Sequence, residues 1–432
     1  MATFLIKDNL DKQRWWIAFA AILIQLCLGT IYSWSVIKNE LVTNQGWQEV
    51  DTSLAFVIAL GVIGFAAAVG GILVDKKGPR FVATLGGLLF GIGTIIAGVG
   101  IQLNNLLILY LGYGLIAGLG NGFGYVTPIA TLIRWFPDKR GLVTGLAVMG
   151  FGAGSFFIGL IAPYCINNFG VPNTFYLWGI CFLILIVMSA QLLINPPQGW
   201  LPLGYELPTG NKTIDSYDFH RAIRASQWWI LWGILFVNVS AGLGFISQLS
   251  SIARDLYYLP SFEDLSPQEV SLLRDRAGAF VVAIAAIFNG LGRLFWAWLS
   301  DIFGRKAIFS TMFITQAVLY LITPYLHSYI LFVFIACYLL SCLGGGFATM
   351  PAFAADTFGS ENIGRIYGAM LTAWGSAGVM GPFVFSWIKD NTASYNYALY
   401  GAMGLLVIGF ILTRLYHPPR RIKCVGEIIG NE

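Results

Sequence analysis

The chain has 432 residues, of which 57% are hydrophobic and only 11% are charged, and its net charge is +4 at pH 7. A soluble globular protein carries about 25% charged residues, and its surface could not accommodate so much apolar sequence. The composition therefore excludes a water-soluble fold. It predicts that a lipid bilayer surrounds most of the chain, and the small positive charge does not indicate nucleic-acid binding.

Hydrophobic runs separated by charged or proline-containing breaks predict twelve membrane-spanning helices, because each crossing needs roughly 20 apolar residues. In chain order the predicted spans are residues 15–37, 53–74, 81–101, 105–134, 141–166, 174–195, 228–258, 277–300, 306–326, 329–355, 364–388 and 395–416. We therefore predict an all-α membrane protein with two six-helix bundles, in residues 1–195 and 228–432. The polar stretch 196–227 would link them, and a tail would follow the last span.

The positions of the basic residues predict the orientation of the spans. Nineteen of the 25 lysines and arginines fall at one end of the predicted helices and five at the other, and one lies inside a span. Positively charged loops remain in the cytoplasm during membrane insertion. We predict a multi-pass protein of the cell (cytoplasmic) membrane with both termini and the linker in the cytoplasm.

The two halves of the chain repeat each other. Segment 71–80 recurs as 297–306, so that Asp75 and Asp301 are 226 residues apart. Four further residues recur at a spacing of 223: Pro128 with Pro351, Gly141 with Gly364, Gly145 with Gly368, and Gly152 with Gly375. Such a repeat indicates duplicated bundles that rock about a site near the bilayer midplane.

Charged residues at the basic ends of the helices are predicted to form pairs that lock one conformation and break in the other. Both copies of the repeated segment contain Asp-x-x-Gly, from Asp75 to Gly78 and from Asp301 to Gly304. This doubled loop pattern resembles that of the major facilitator superfamily. The predicted gating or structural residues are Asp75, Arg80, Asp301, Arg305, Asp138 and Arg140.

Arg293 is the one charged side chain placed clearly inside a predicted span. An ionised group there is costly unless it faces a cavity or a partner, and arginine does not neutralise itself by losing a proton. Its planar fork matches a carboxylate. We therefore predict that Arg293 binds an anionic substrate, with Asn289 on the same helical face to orient the guanidinium or to bond the substrate.

Aromatic residues beside small or polar residues are the next candidates for a substrate cavity, although plain packing explains any one of them alone. They are Tyr32, Trp34, Tyr125, Phe347 and Trp374. No cysteine pair or histidine cluster suggests a metal site, a cofactor or an enzyme. The chain is predicted to act without cofactors and as a monomer.

Several strings taken together resemble the oxalate:formate antiporter family, which is related to the monocarboxylate porters. They are Tyr32-Ser-Trp34, residues 74–80, Tyr125, residues 134–141, residues 288–290 with Arg293, residues 300–305, residues 356–359 and Tyr367-Gly368. The resemblance implies the major facilitator fold, a small carboxylate substrate and Arg293 as its ligand. Tyr32 and Tyr125 match positions that line the cavity of that family.

Departures from the family pattern bear on the substrate. Where the oxalate-binding member has a second cation, a lysine, this chain has Trp374. Other aromatic positions of that cavity are changed to Leu343, Phe347 and Leu371. The resemblance therefore implies a monocarboxylate of the formate, lactate or pyruvate class rather than oxalate. Asn289 stands where monocarboxylate porters commonly have an acid.

Anion exchange and proton symport both remain open as coupling mechanisms, and the missing internal acid favours exchange slightly. An oxalate/formate exchanger is the nearest alternative function. A carboxylate sensor that does not transport, or a porter for neutral solutes on the same scaffold, is a more distant alternative.

Overall fold

The protein is described by a computed structural model that covers residues 2–205, 216–257 and 265–418, and the regular elements in these ranges are all helical. The first half contains α1 (Ala2–Gly29), a 3₁₀ turn (Thr30–Ser33), α2 (Trp34–Gln45), α3 (Glu49–Lys77), α4 (Pro79–Gln102), α5 (Leu106–Leu109), a π-helical segment (Tyr110–Ala117), α6 (Gly118–Trp135) and α7 (Arg140–Ala190). α7 comprises two helices that meet at Gly170, where φ is 78°.

A short helix, α8 (Phe219–Arg224), lies in the stretch predicted to link the halves. The second half contains α9 (Ser226–Leu256), α10 (Pro267–Phe303), α11 (Arg305–Ile322), a 3₁₀ turn (Thr323–Tyr325), α12 (Tyr329–Phe358), α13 (Ile363–Thr392) and α14 (Asn396–Leu415). Linker residues 206–215 and the tail 419–432 lie outside the described residues, as does the segment 258–264.

Eleven helical segments of the described chain are long and apolar enough to cross a membrane. The remaining predicted crossing is α13, which has 30 residues but carries Arg365, Lys389 and several glycines, serines and threonines. The arrangement is that of an all-α, twelve-helix membrane protein. α13 packs mainly against α3 and α9.

The predicted spans differ from the observed helices mainly at their ends. α1 begins at Ala2 rather than at residue 15, and a 3₁₀ turn that contains Tyr32 interrupts the first crossing. α10 begins ten residues before the predicted 277, because Ser266 and Glu269 cap it reciprocally and Pro267 occupies its first position. The sequence pattern missed this start because residues 267–276 are polar.

Equivalent backbone geometry supports the internal repeat. Gly78 and Gly304 end α3 and α10 with φ values of 84° and 85° and ψ values of 162° and 148°. Residues with a side chain rarely adopt this region, so both turns require glycine. The same glycine turn therefore occurs 226 residues apart.

Two equivalent helix contacts join the halves, α7 with α10 and α13 with α3. A Cβ on Gly145 would lie 2.8 Å from the carbonyl oxygen of Arg293, and one on Gly368 would lie 2.6 Å from that of Ala67. Gly145 with Gly368, and Ala67 with Arg293, are repeat counterparts. The absence of side chains at these glycines lets the backbones of opposite halves meet.

We predict that Gly71→Ala and Gly141→Ala each destabilise the protein by about 1–3 kcal/mol, as overpacking does. The added methyl groups would overlap the carbonyl oxygens of Gly364 and Ala297 in the opposite half. The measurement is the thermal midpoint of the detergent-solubilised protein. Gly290→Ala is the matched control, because its Cβ would meet open space. Equal midpoints for all three variants would contradict the close contact.

Candidate functional site

The charged residues at one end of the bundle form two networks that join the halves. We call this end the basic face and define it by residues 75–80, 134–141, 301–306 and 356–365. In the first network Asp75 is almost fully buried, pairs with Arg134 at 2.5 Å and accepts the backbone N–H of Arg365 at 2.9 Å. Arg134 in turn donates to the backbone carbonyl of Glu361 at 2.7 Å.

The second network contains the repeat counterpart of Asp75. Asp301 at the end of α10 accepts the backbone N–H groups of Gly141 and Leu142, each at 2.9 Å. Arg305 pairs with Asp301 at 2.6 Å and with Asp356 at 2.8 Å. Asp356 also pairs with Arg140 of the opposite half at 2.7 Å.

Both networks place a carboxylate at the N-terminus of a helix from the other half. Arg365 lies in the first turn of α13, and Gly141 and Leu142 lie in the first turn of α7. The first N–H groups of a helix have no partner inside it, and its N-terminal end is partially positive, so a carboxylate is favoured there. The two halves are therefore held together on the basic face.

Two of the predicted gating residues lie outside these networks. Arg80 is exposed and makes no ion pair within the described residues; the cations beside Asp75 are Arg134 and Arg365. Asp138 pairs with Arg14 at 2.8 Å, which joins two parts of the same half. The position of a charged residue near a repeated loop therefore did not predict which residue it pairs with.

Arg293 lies in the C-terminal half of α10, ten residues before its end at Phe303, and its side chain reaches the other half. Its Nη1 donates to the backbone carbonyl of Val148 on α7 at 2.8 Å, and its Nε donates to Asn289 Oδ1 at 3.3 Å. Only 9% of the residue is exposed, and no aspartate or glutamate pairs with it among the described residues. The protein thus contains a buried, permanently charged guanidinium with neutral neighbours.

Glycines create the space that the guanidinium occupies. A Cβ on Gly152 of α7 would lie 3.2 Å from Arg293 Nη1, and one on Gly344 of α12 would lie 3.0 Å from Arg293 Cγ. Larger residues at either position would compete with the arginine side chain. Gly152, one of the glycines that recur in the sequence, therefore also helps to accommodate the buried charge.

A small cavity of about 20 Å³ lies between the halves near this arginine. Its walls include five residues that the sequence marked: Tyr32, Tyr125, Phe347, Leu371 and Trp374. The remaining lining residues are Ile31, Leu60, Ile63, Gly64, Ala67 and Phe151. Arg293 is not itself a wall residue of this cavity, but it lies within electrostatic range of Tyr32 and Tyr125.

Aromatic contacts fix the shape of the cavity. Tyr125 stacks on Phe347 at 6.0 Å between ring centroids, and Phe347 lies 6.2 Å from Trp374. Phe151 packs edge-on against Tyr32 and Tyr125 at 5.4 and 5.2 Å. Because the rings come from both halves, the cavity walls depend on how the halves are placed.

Two other candidates do not line the cavity. Trp34 is buried in the first half, where its Nε1 donates to the Thr52 carbonyl at 3.1 Å and its ring packs on Tyr113. The prediction of Trp34 as a cavity residue is therefore wrong. Leu343 packs against Gly242 inside the second half.

Sequence reasoning missed Phe151 and Ala67. A signal for Ala67 was present, because it lies 226 residues before Arg293 and so occupies the equivalent position in the first half. Phe151 carried no signal of its own, since it is one of 32 phenylalanines.

A twelve-helix chain with a cavity between its two repeated halves has the architecture of a membrane transporter. The sequence model of the Major Facilitator Superfamily matches residues 15–266 and 256–427. The chain belongs to this superfamily. It is a multi-pass integral membrane protein, and its relatives and fold are those of transporters rather than enzymes.

Individual relatives within this superfamily show which of its members the chain resembles. The chain is 27% identical over 427 residues to the oxalate:formate antiporter of Oxalobacter formigenes, with 96% of each chain covered. It is 23% identical to monocarboxylate transporter 14 of Mus musculus, with 85% of this chain and 84% of that protein covered. The predicted resemblance to these two groups is confirmed.

Among solved structures, the chain matches a fucose:proton symporter of Escherichia coli. The TM-score is 0.67 at 14% identity, and the match covers 92% of this chain and 97% of that one. This likeness establishes the fold and carries no information about the substrate.

We predict that Asp75→Asn and Asp301→Asn each increase the population in which the basic face is separated, by about tenfold or more. Each loses a charged acceptor, and hydrogen bonds to charged groups contribute about 1.5–3 kcal/mol. The measurement is the distance between spin labels at Lys77 and Phe303, which are exposed repeat counterparts, in a chain without native cysteines.

Asp138→Asn is the control for this experiment, because its ion pair lies within one half. It should leave the distance distribution unchanged. If neither Asp75→Asn nor Asp301→Asn lengthens the distance, the two networks do not hold the basic face closed.

Proposed function

We propose that the protein is a secondary active transporter of small organic anions, with a monocarboxylate of the formate, lactate or pyruvate class as its substrate. Arg293 binds the carboxylate, and the two halves alternate in opening the cavity to each side of the membrane. The observation that carries this proposal is the buried guanidinium without a carboxylate partner among the described residues, beside the cavity between the halves.

The free hydrogen-bonding capacity of Arg293 supports an anionic ligand. A guanidinium has five N–H donors in a rigid fork, and two are used by Val148 and Asn289. A buried charge without a counterion is costly, and a carboxylate would supply both the opposite charge and two acceptors. Substrate binding would therefore offset the free-energy cost of burying Arg293 without a counterion.

The neutral walls of the cavity support a monoanion. Its lining residues carry no charged side chain, and Trp374 occupies the position where the resemblance places a second cation in the oxalate-binding member. A second carboxylate would have to be buried without a counterion. Oxalate/formate exchange stays as the second candidate, because the relative from Oxalobacter formigenes is named for it.

The contact between Arg293 and Val148 bears on coupling. This hydrogen bond joins α10 to α7 and would resist separation of the halves at that point. An anion that engages the guanidinium would weaken this link, which favours exchange of one anion for another. Proton symport remains open, since a proton can travel with the substrate acid.

The basic residues indicate how the protein is oriented in the membrane. We infer from the 19 to 5 distribution of basic residues that the basic face and both termini are cytoplasmic. The proposed units are residues 1–195, 196–227 and 228–432, acting as a monomer. The paired networks of Asp75 and Asp301 would then form the cytoplasmic gate.

A sensor that binds a carboxylate without moving it, and a porter for neutral solutes, are less well supported. The linker offers the short helix α8 and no further element among its described residues. A neutral solute would leave the charge of Arg293 without a counterion.

We predict that Arg293→Gln lowers uptake of labelled formate, lactate or pyruvate into proteoliposomes by about 30-fold or more, since losing one partner of a buried charged contact costs about 2–5 kcal/mol. Arg293→Lys should retain part of the activity, because it keeps the charge and loses the fork. The measurement is initial uptake at equal amounts of reconstituted protein, with unlabelled carboxylate inside.

Arg254→Gln is the charge-matched control, because Arg254 lies in a half-exposed pair with Asp275 away from the cavity. Its uptake should resemble that of the parent. Unchanged transport by a well-folded Arg293→Gln variant would make the arginine structural. Dependence of parental uptake on internal anion or on a pH gradient separates exchange from symport.

A further inference from the structure

A second cavity, which we call the far pocket, lies at the end of the bundle opposite the basic face. Its walls are the last turns of α9 and α13, the first turn of α14 and the 3₁₀ turn after α11, all within the second half. Its volume is about 210 Å³. A water molecule takes about 30 Å³ in the liquid, so the far pocket has room for a larger polar group.

One acidic and one basic side chain line the far pocket, and they do not pair with each other. The carboxylate of Asp255 takes part in no ion pair or hydrogen bond within the part of the chain that the structure describes. Lys389 Nζ donates to the carbonyl oxygen of Ala393 at 3.1 Å and lies 4.0 Å from the centroid of the Tyr395 ring. An ammonium has three donors, so Lys389 can bind a further acceptor.

The ends of the helices reinforce this separation of charge. Asp255 lies in the last turn of α9, whose end is partially negative, and Asn396 is the first residue of α14, whose start is partially positive. Lys389 offsets the partial negative charge at the end of α13. Arg254, the basic neighbour of Asp255, pairs with Asp275 instead, at 3.0 Å. The far pocket therefore offers one negative and one positive region.

The far pocket lies where apolar spans end, which is the level of the lipid headgroups. Asp255 is one residue from the end of one membrane-spanning segment, Pro324 is one residue from the end of another, and Asn396 begins a third. Exposed aromatic side chains with a polar edge lie within two residues of the lining residues along the chain: Tyr325, Trp387 and Tyr397. Such side chains concentrate at the interface between hydrocarbon and water.

A zwitterion with an anionic group and a primary ammonium group matches the two regions. A phosphate would accept from Lys389, and an ammonium would donate to Asp255. An anionic headgroup without an ammonium would place like charge beside Asp255, and a quaternary ammonium has no N–H to donate. The depth of the pocket favours a lipid over a soluble zwitterion, because the acyl chains of a lipid would remain in the hydrocarbon layer.

We propose that the far pocket binds the headgroup of a phospholipid that carries a primary ammonium, of the phosphatidylethanolamine type. Lys389 binds its phosphate and Asp255 binds its ammonium. The bound headgroup connects the ends of α9, α13 and α14, so it stabilises the second half. This site depends neither on Arg293 nor on the solute that is transported.

The test measures lipid binding to the purified full-length protein in detergent by native mass spectrometry. Apparent dissociation constants for the first lipid bound are compared for phosphatidylethanolamine, phosphatidylcholine and phosphatidylglycerol with equal acyl chains. We expect the parent to bind phosphatidylethanolamine about threefold or more tightly than the other two, as a partly exposed ion pair would give. Asp255→Asn should remove this preference, and Lys389→Gln should weaken binding of all three, because each carries a phosphate.

Asp390→Asn and Arg276→Gln are the matched controls. Each removes one charge from an exposed side chain at the same end of the bundle that does not line the far pocket. Both should keep the parental affinities and preference. The thermal midpoint in lipid-free detergent reports whether each variant is folded. Asp255 is exposed, so Asp255→Asn is expected to fold even if Lys389→Gln does not.

Three results would overturn the proposal: equal binding of the three lipids, tighter binding of phosphatidylglycerol, or a preference for phosphatidylethanolamine that survives in Asp255→Asn. Glycerophosphoethanolamine, the same headgroup without acyl chains, separates a lipid site from a site for a soluble zwitterion. It should not displace the lipid at equal concentration. If it does, the pocket takes a soluble zwitterion and the lipid assignment is wrong.

Discussion

The free energy of a permanently charged guanidinium buried between two helix bundles governs the central part of this protein. Arg293 has no carboxylate to pair with in the described chain and relies on a backbone carbonyl of the opposite half and on the amide of Asn289. Such neutral acceptors only partly replace the solvation that water would provide. Under the proposed function, the carboxylate of the substrate would balance this charge. The contact that stabilises the guanidinium here also spans the interface between the halves.

Because the chain is duplicated, the position of Arg293 in the second half has an equivalent in the first half. Arg293 and Ala67 are repeat counterparts on α10 and α3, and both present their carbonyl oxygens to equivalent glycines, Gly145 and Gly368. The backbone contacts are thus nearly symmetric, whereas the side chains are not. Arginine at one of these equivalent positions and alanine at the other place a charge on one side, while Ala67 helps to line the cavity on the other.

Much of the fold followed from the sequence because the bilayer imposes it. Long apolar runs must form helices in lipid, where every backbone polar group needs an internal partner. The ends of the helices were harder to predict from the sequence. α10 starts ten residues before the predicted span, since a reciprocal cap is a local polar feature that hydrophobicity does not detect. For the site, Tyr32, Tyr125, Phe347, Leu371 and Trp374 do meet around one cavity. Trp34, two residues from Tyr32, points into the first half instead.

The sequence by itself determined the number of membrane-spanning helices, the internal repeat and the isolation of Arg293. Hydrophobic runs, recurring glycine loops and a lone charge within a span can each be recognised from the order of residues alone. Only the tertiary structure decided the partners. Arg134, Arg365 and helix N-termini, rather than Arg80, surround Asp75 and Asp301. The contact between the Tyr125 and Phe347 rings likewise requires two helices from opposite halves to meet. Residues from 59 to 290 positions apart come together through helix packing, which a linear pattern does not encode.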